Sequence, residues 1–539
     1  MKRDLSWLEA RRVSPEMLAR ATEILEAVRA GAEVNAAVRR HPLPDGRLLG
    51  KHALVRAYRR LTEEGAWPDD PALLRRIRMK PVRTLSGVTT VTVLTEPAGC
   101  PGDCLFCPTE DRMPKSYLPD EPGARRAVEH GFDPFAQTAS RLEALSAIGH
   151  PTDKVELLIL GGTWSAYAED YQNRFVQRCL DALNGSDSAS LAAAQQANAT
   201  AAHRNVGLVV ETRPDWITPI EVRRLRSLGV TKVQMGVQSL DDRILALNHR
   251  GHSVADTRRA MGYLRAAGFK VVAHWMPNLL GATPASDRED FARLWSDAEL
   301  RPDEIKIYPC QLLASAGLAG AWRRGEYQPY TTEQLIELTA DLKPTIPRYC
   351  RVNRVVRDIP SGNVLAGSRR TSLRLDVQAE LRRRGQSCAC IRCREVRGRR
   401  IEANDLHLDD LAYVAGAGVE HFLSYVTRED WLAGYLRLSL PGPQSPDTGI
   451  ADLQAAAVVR EVHIYGESLA LGAEPDGAAQ HTGLGRSLMA EAERLAAEAG
   501  YRRLAVIAAL GTRGYYARLG YRLGESYMLK ELADEACRA

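Results

Sequence analysis

Six short runs of β-branched or apolar residues, separated by helical patterns, constrain the fold of this chain most strongly. The first, Val88-Thr-Thr-Val-Thr-Val-Leu94, alternates as a strand does. Leu157-Leu-Ile-Leu160 is fully apolar and ends in Gly161-Gly162-Thr163, the pattern of a buried parallel strand whose carboxyl end meets a ligand. Val206 to Arg213, Lys232 to Gln238, Lys270 to Pro277 and Glu304 to Tyr308 follow. Repeated strand-helix units predict an α/β fold with a parallel sheet, curved as a partial TIM-like barrel that carries its functional groups at the carboxyl strand ends. Gly161 and Gly162 allow close backbone approach, and Glu211, Gln238, His274 and Lys306 fall near those ends. Each of these four taken singly reads equally well as an ordinary polar residue of a barrel mouth.

At 539 residues the chain is too long for one hydrophobic core, so a second large domain is expected. With 45% hydrophobic and 26% charged residues and no bilayer-length apolar run, a membrane protein is not expected. The first dozen residues carry Lys2, Arg3, Glu9, Arg11 and Arg12 and no apolar stretch, which predicts a cytoplasmic location.

Six of the ten cysteines fall in two tight clusters, and in a cytoplasmic chain such spacing means metal before it means disulfides. Cys100-Pro-Gly-Asp-Cys104-Leu-Phe-Cys107 follows the first strand in a Gly and Pro rich loop. Three thiolates can hold three irons of a [4Fe-4S] cube and leave the fourth open. An open iron lets the amino and carboxylate groups of S-adenosylmethionine (SAM) bind, so that one electron can release a 5′-deoxyadenosyl radical. A zinc knuckle short of one ligand is the competing reading, and the strands downstream disfavour it.

The second cluster, Cys388-Ala-Cys390-Ile-Arg-Cys393, packs three thiolates into six residues and reads as a structural zinc site. Cys310 is the first choice for its fourth ligand and Cys350 the second, whereas Cys179 and Cys537 read as ordinary thiols. The net charge of +5 hides two basic segments. Residues 1–80 carry 17 Lys and Arg against 11 acids, and residues 348–400 carry 15 against 4. The second imbalance, with Arg382, Arg383 and Arg384 at its centre, predicts polyanion binding.

Beyond Arg400 the pattern changes. Val458 to Tyr465 reads as a strand, Gln480-His-Thr-Gly483-Leu-Gly485 as a Gly-rich loop and Arg486 to Ala499 as a helix. Such a turn offers backbone N–H groups to the pyrophosphate of a nucleotide cofactor. Leu504 to Leu510 and Gly514-Tyr515-Tyr516-Ala-Arg-Leu-Gly520-Tyr521 complete a succession that resembles the GNAT-type acetyltransferase fold, which binds acetyl-CoA. In that fold a tyrosine near the coenzyme sulfur can act as an acid, and Tyr516 is preferred over Tyr515 for that place.

Together the segments resemble the catalytic subunit of Elongator, in its stand-alone bacterial and archaeal form. The resemblance spans nearly the whole chain. It is carried by the cysteine loop, Lys115-Ser-Tyr-Leu-Pro-Asp-Glu-Pro122, Asp153-Lys-Val-Glu156, Glu211-Thr-Arg-Pro214, Gly236-Val-Gln-Ser239, Arg250-Gly-His252, His274-Trp-Met-Pro277, Lys306-Ile-Tyr-Pro309, Arg357-Asp-Ile-Pro360 and Arg460-Glu-Val-His-Ile-Tyr465. One departure is a cysteine spacing shorter than in eukaryotic members. The resemblance implies acetyl-CoA contacts at Lys154, at Glu461, Val462, His463 and Ile464, at Leu484, Gly485 and Arg486, and at Tyr516. Tyr516, His463 and Lys306 are the candidate catalytic side chains. The implied activity is radical abstraction from the acetyl methyl, addition to carbon 5 of the wobble uridine of tRNA and thioester hydrolysis. The implied partners are the anticodon stem-loop and an electron donor of unknown identity, and a homodimer is compatible with the chain. The rivals are a protein lysine acetyltransferase with a structural iron-sulfur domain and a non-catalytic tRNA-binding scaffold.

The expected organisation is a basic helical tRNA-binding segment over 1–80, a radical SAM domain over 81–345, an arginine-rich zinc-bound linker over 346–400 and the acetyltransferase domain over 401–539.

Overall fold

A computed structural model describes residues 13–80, 84, 86–397, 399, 401, 403–465 and 483–532. Expectations placed on residues 1–12, 81–83, 85, 480–482 and Cys537 fall outside the described residues.

The strand-helix repeats fold as the patterning predicts. β1 (Thr89–Leu94), β2 (Lys154–Leu160), β3 (Arg204–Thr212), β4 (Lys232–Gln238), β5 (Lys270–Trp275), β6 (Glu304–Ile307) and β7 (Arg351–Arg354) pair in sequence order, every pair parallel. The sheet is an open, curled half-barrel with helices on its outer face. Val155, Leu157 and Ile159 of β2 point outward into a core that includes Phe175, Val176 and Leu180 of the helix Glu169–Asn184. Lys154, Glu156, Leu158 and Leu160 alternate with them and stay partly accessible inside the barrel. β7 was not foreseen: the radical SAM domain was expected to end at residue 345, yet the strand Arg351–Arg354 continues its sheet. Four residues reading Arg-Val-Asn-Arg carry too little apolar signal to stand out from an arginine-rich segment.

Ahead of the barrel, the helices Pro15–Arg29, Val34–Arg40, Lys51–Glu63 and Pro71–Ile77 bury Ile24, Leu25, Leu54, Tyr58 and Ile77 in a core of their own. Ser14 caps the first helix by accepting the Met17 N–H at 3.1 Å, and Asp70 caps the last. The bundle is tied to the barrel where Arg59 donates to Ser146 Oγ at 2.9 Å and Arg78 to the Gly149 carbonyl at 2.6 Å.

The second sheet holds β8 (His407–Ala415), β9 (Gly418–Val426), β10 (Leu432–Pro441), β11 (Ala456–Ile464), β12 (Arg503–Val506), β13 (Arg522–Leu523) and β14 (Met528–Glu531), in the order β13-β14-β12-β11-β10-β9-β8. All its pairings are antiparallel except β11 with β12, which the helix Leu484–Glu498 connects. These two strands pair only from Ala456 with Arg503 to Val459 with Val506, and β11 then runs on to Ile464 without β12. This leaves a gap between β11 and β12 beside the start of the helix Leu484–Glu498.

The two sheets meet at the amino-terminal ends of the barrel strands, through buried charge. Arg460 of β11 pairs with Asp303 at 2.5 Å and with Glu420 of β9 at 2.7 Å. Arg437 of β10 reaches Asp303 at 3.6 Å and Glu461 at 3.0 Å. Glu461 is bonded to Lys270, which lies 3.5 Å from Glu304. Lys232 then links Glu304 at 3.7 Å to Glu156 at 2.5 Å. Backbone approach is equally close at Gly511, where a Cβ would stand 2.5 Å from Arg204 Cβ and 2.9 Å from the Asn205 carbonyl oxygen.

Asp303 is 1% exposed, and removing it leaves two buried guanidinium groups with one acid each, Arg460 with Glu420 and Arg437 with Glu461, the latter shared with Lys270. Asp303→Ala is expected to lower the unfolding free energy by about 3–5 kcal/mol in urea denaturation. Arg503→Ala, which breaks an exposed pair with Glu531, should change it little.

Candidate active site

At the carboxyl ends of the barrel strands, β1 delivers the chain into the cysteine loop. The loop is held by backbone bonds from Leu105 N–H to the Asn248 carbonyl at 3.1 Å and from Leu318 N–H to the Leu105 carbonyl at 2.7 Å. Cys100 Sγ lies 3.6 Å from Thr163 Oγ1, and Arg250 Nη1 donates to Cys104 Sγ at 3.4 Å. The Cys104 thiol is pulled below its ordinary range by Cys107 first, then by Arg250 and Arg213. All three cysteines border one cavity. Their sulfurs are not drawn together as tightly as a single ion requires, in contrast with the second cluster, and thiolates facing an open space suit a larger iron-sulfur group.

Gly161 and Gly162 turn the chain at φ +151° and +89°, and a Cβ on Gly161 would sit 1.7 Å from Thr95 Oγ1, so only glycine fits there. Gln238 takes φ +68° at the end of β4, and its Oε1 is buried without a partner. Strain and an orphan acceptor together at a cavity wall mark a ligand position.

Deeper in the barrel, Glu211 accepts from Tyr117 Oη at 2.8 Å and lies 3.2 Å from His274 Nδ1. His274 Nε2 is 2.9 Å from Gln234 Oε1, which also accepts from Lys306. Burial and then Lys306 push the His274 pKa down to about 4, so the ring is neutral at pH 7 and meets Glu211 through a hydrogen bond. Against burial, which would raise it, His274 and Lys306 hold Glu211 down to about 2. Burial lowers the Lys306 amine to about 8, with Glu211 opposing the shift.

At the opposite end, Lys154, Lys232, Lys270 and Glu304 are the first residues of their strands and face the second domain. Burial lowers the Lys154 pKa. Across from them stand Glu461, Val462, His463 and Ile464 of β11, and the opened helix start at Leu484, Gly485 and Arg486. A Cβ on Gly485 would be 2.8 Å from Tyr515 Oη, so Tyr515 and not Tyr516 packs on the helix start. Tyr516 is buried beside Tyr515 and Tyr521, and burial raises its pKa. Glu461 carries the domain junction through Lys270, Arg437 and Tyr435, so its carboxylate is already engaged.

Both ends open into one continuous cavity of about 2910 Å³. It runs from Cys100, Cys104 and Cys107 past Glu211, His274 and Lys306, then Glu156, Lys232 and Lys270, to His463, Arg486 and Tyr516. The apolar strand runs of the sequence gave no sign that the barrel interior is hollow and charged. Tyr117, in a loop, and Glu156, Lys232, Gln234, Lys270 and Glu304, on the strands, belong to its wall and were not singled out; only β4, with Lys232, Gln234 and Gln238, and β6, with Glu304 and Lys306, show polar residues in strand alternation.

Cys388, Cys390 and Cys393 bring their sulfurs within 4.8 Å of one another. Cys310 does not join them. Its thiol is bonded to Tyr327 among Cys104, Phe106 and Leu312, and burial pushes it up to about 12. Cys350 is nearer, since its carbonyl accepts the Ile391 N–H at 2.9 Å. The buried Lys343 amine lies 4.0 Å from Cys393 Sγ and donates a hydrogen bond to it. In the arginine run, Arg383 and Arg384 are engaged by Glu380, and Arg384 also by Asp341. Arg354, Arg357, Arg374, Arg392 and Arg397 instead face the cavity.

A three-thiol loop at the carboxyl end of a parallel half-barrel, joined to an acetyltransferase-type sheet, defines a two-domain radical SAM protein. Residues 97–294 match the radical SAM superfamily and residues 302–383 the radical SAM C-terminal domain. The chain is 44% identical over 454 residues to the tRNA uridine(34) acetyltransferase of Dehalococcoides mccartyi, covering 84% of this chain and 99% of that one. It is 35% identical over 507 residues to Elongator complex protein 3 of Drosophila melanogaster, covering 90% and 91%. The solved structure of the archaeal Methanocaldococcus infernus Elp3 with an N-terminal deletion matches with a TM-score of 0.72 at 36% identity, over 83% of this chain and 99% of that one. The chain belongs to the family of tRNA uridine(34) acetyltransferases and Elongator complex protein 3.

His463 gives the site a pH signature. Burial, and then Lys270 and Arg351, depress its pKa from 6.5 to about 4, and its Nε2 is enclosed without a partner. A depressed folded-state value means that the unfolded chain binds the proton more readily, so stability is full above about pH 6.5 and lost as pH falls toward 4. His463→Gln is expected to flatten acid unfolding across that window, measured by urea midpoints at stepped pH.

Proposed function

We propose that this chain replaces the hydrogen on carbon 5 of the wobble uridine of tRNA with a carboxymethyl-type group, from acetyl-CoA and with SAM as radical source, the displaced hydrogen leaving as a proton while one electron passes back to the donor that started the radical. The observation that carries the reading is the single cavity bordered by three thiols at one end and by a coenzyme-type helix start and cleft at the other. A carbon 5 of uridine is too weak a nucleophile for plain acyl transfer, which is why an acetyl-CoA site shares a cavity with radical machinery. The names of the relatives support the same substrate.

Cys100, Cys104 and Cys107 would hold a [4Fe-4S] cluster, which with SAM supplies the 5′-deoxyadenosyl radical that takes a hydrogen from the acetyl methyl. Gly161, Gly162 and Thr163 leave room for a ligand beside the loop, and Gln238 offers it an unused acceptor. The N–H groups of Leu484, Gly485 and Arg486, in the first turn of their helix and without partners inside it, would receive the coenzyme pyrophosphate. Lys154 approaches the coenzyme from the barrel side. Neutral His463 orients the water that hydrolyses the thioester, and Tyr516, kept protonated by burial, returns a proton to the departing sulfur. Lys306 and His274 line the middle of the passage, where the acetyl carbon and the uridine meet. The unstacked anticodon loop can insert a base there, with the cavity-facing arginines taking its phosphates. The electron comes from an external donor, and the enzyme works in the cytoplasm, where its tRNA is.

Anaerobic incubation with tRNA, acetyl-CoA, SAM and a reductant, followed by mass spectrometry of the wobble nucleoside, tests the reading. Wild-type protein should yield the modified uridine. Cys104→Ala should yield none while keeping acetyl-CoA affinity within about twofold by calorimetry, because the coenzyme cleft lies in the other sheet. Modified uridine from Cys104→Ala, or acetylated lysine peptides without SAM, would sink the proposal.

Zinc is the second cofactor of the reading, held by Cys388, Cys390 and Cys393, with the Lys343 amine donating to Cys393 beside it. It would fasten the arginine-bearing segment to β7. Aerobically purified protein should carry about one zinc per chain, since a thiolate zinc site has no redox chemistry to lose. Cys390→Ser should empty it, and Cys310→Ser should leave it full by metal analysis.

A further inference from the structure

Arg250 lines the cavity beside the cysteine loop, and the proposed chemistry has not used it. Its side chain is 5% exposed. Nη1 donates to Cys104 Sγ at 3.4 Å and Nη2 to the Gly236 carbonyl at 2.6 Å, while Nε is buried without a partner. No carboxylate pairs with it among the described residues. Arg213 stands directly behind. Its Nη2 donates to the Arg250 carbonyl at 2.8 Å, and its Nε and Nη2 grip Asp215 at 2.9 Å each. Its Nη1 is buried and unpartnered, and a Cβ on Gly102 would fall 1.9 Å from it. Gly236 makes the same allowance for Arg250, whose Nη2 lies 2.6 Å from where a Cβ would be. Glycines on two elements thus clear space for two guanidinium groups packed against one thiol. His252 is beside them, and burial followed by Arg250 and Arg213 keeps it neutral, so it takes no part of their charge.

We propose that Arg250, held in place by Arg213 and its surroundings, is a positioning residue that raises the reduction potential of the iron-sulfur cluster through its charged hydrogen bond to Cys104. The proposal rests on reading Cys100, Cys104 and Cys107 as the cluster ligands. Reduction adds one negative charge to the cluster. An N–H···S bond from a cation with no carboxylate of its own stabilises that charge more than the oxidised state, and sparse solvent around it leaves the effect unscreened. Arg213 adds less because Asp215 neutralises much of it.

The test uses the full-length protein reconstituted with iron and sulfide, without acetyl-CoA or tRNA, in a potentiometric titration followed by electron paramagnetic resonance. Arg250→Gln is expected to move the midpoint to more negative potential, so that the reduced-to-oxidised ratio at a fixed potential falls about tenfold, a shift of about 59 mV for a one-electron couple. Arg250→Lys should recover most of the shift. Asp215→Asn should move the midpoint the other way, because it unmasks Arg213. Full iron content with a wild-type midpoint in Arg250→Gln overturns the proposal. Should Arg250→Gln not hold iron, an unchanged midpoint in Asp215→Asn overturns it instead. Failure of the underlying reading is distinguishable, since wild-type protein would then take up no iron or Cys104→Ala would keep it.

Discussion

The chain of buried charges between the two sheets is the constraint on which the rest depends. Glu156, Lys232, Glu304, Lys270, Glu461, Arg437, Asp303, Arg460 and Glu420 alternate in sign from the inner wall of the barrel into the acetyltransferase sheet. A junction of this kind gains less than an apolar one of equal area, because each ion loses its water. It does fix register. Every acid has a specific partner, and sliding one sheet along the other would strand buried ions. The cleft on β11 is thereby held over the amino-terminal mouth of the barrel, with Glu461 shared between the two.

That register explains why the barrel is hollow. Parallel half-barrels ordinarily fill their interior with branched side chains. Here β2, β4 and β6 place Glu156, Lys232, Gln234 and Lys306 inward; Glu156 pairs with Lys232 and Gln234 accepts from Lys306, beside open space that they do not pack shut. The polar wall offers hydrogen-bonding groups to a thioester and a nucleobase, while burial of His274 and Lys306 within it depresses their pKa values. The charge chain and the cavity are one device seen from two sides.

The fold was legible wherever a local pattern determined it. The six strand runs, the cysteine loop with Gly161 and Gly162, and the turn at Gly483 to Arg486 each announce a backbone conformation within a dozen residues. What escaped was long-range. β7 has only Val352 to mark it. Cys310 was the natural partner for the zinc cysteines by its place after a strand, yet the end of β6 turns it toward Tyr327 and the cysteine loop. Arg382 to Arg384 looked like a phosphate platform, but two of the three are answered by Glu380, which a tally of charge over fifty residues cannot pair. Glu461 was read as a coenzyme contact from its motif, and its carboxylate turns out to be held by Lys270 and Arg437.

Arg437 and Arg460 bear on how far such motifs can be trusted. Arg460-Glu-Val-His-Ile-Tyr465 begins inside the strand that should meet the coenzyme, at a bulge opposite Arg437 and Leu438, and its members serve different layers. Arg460 is buried toward Asp303 and Glu420, Glu461 straddles the junction, and His463 faces the cavity with an unpaired nitrogen. One six-residue segment therefore carries the weld, the contact between domains and a candidate catalytic group in succession. The bulge turns both Arg460 and Glu461 toward the barrel, and alternation from Glu461 onward then brings His463 to the cavity. A motif retained for docking two domains is then inseparable in sequence from one retained for chemistry, and only the side each residue faces tells them apart.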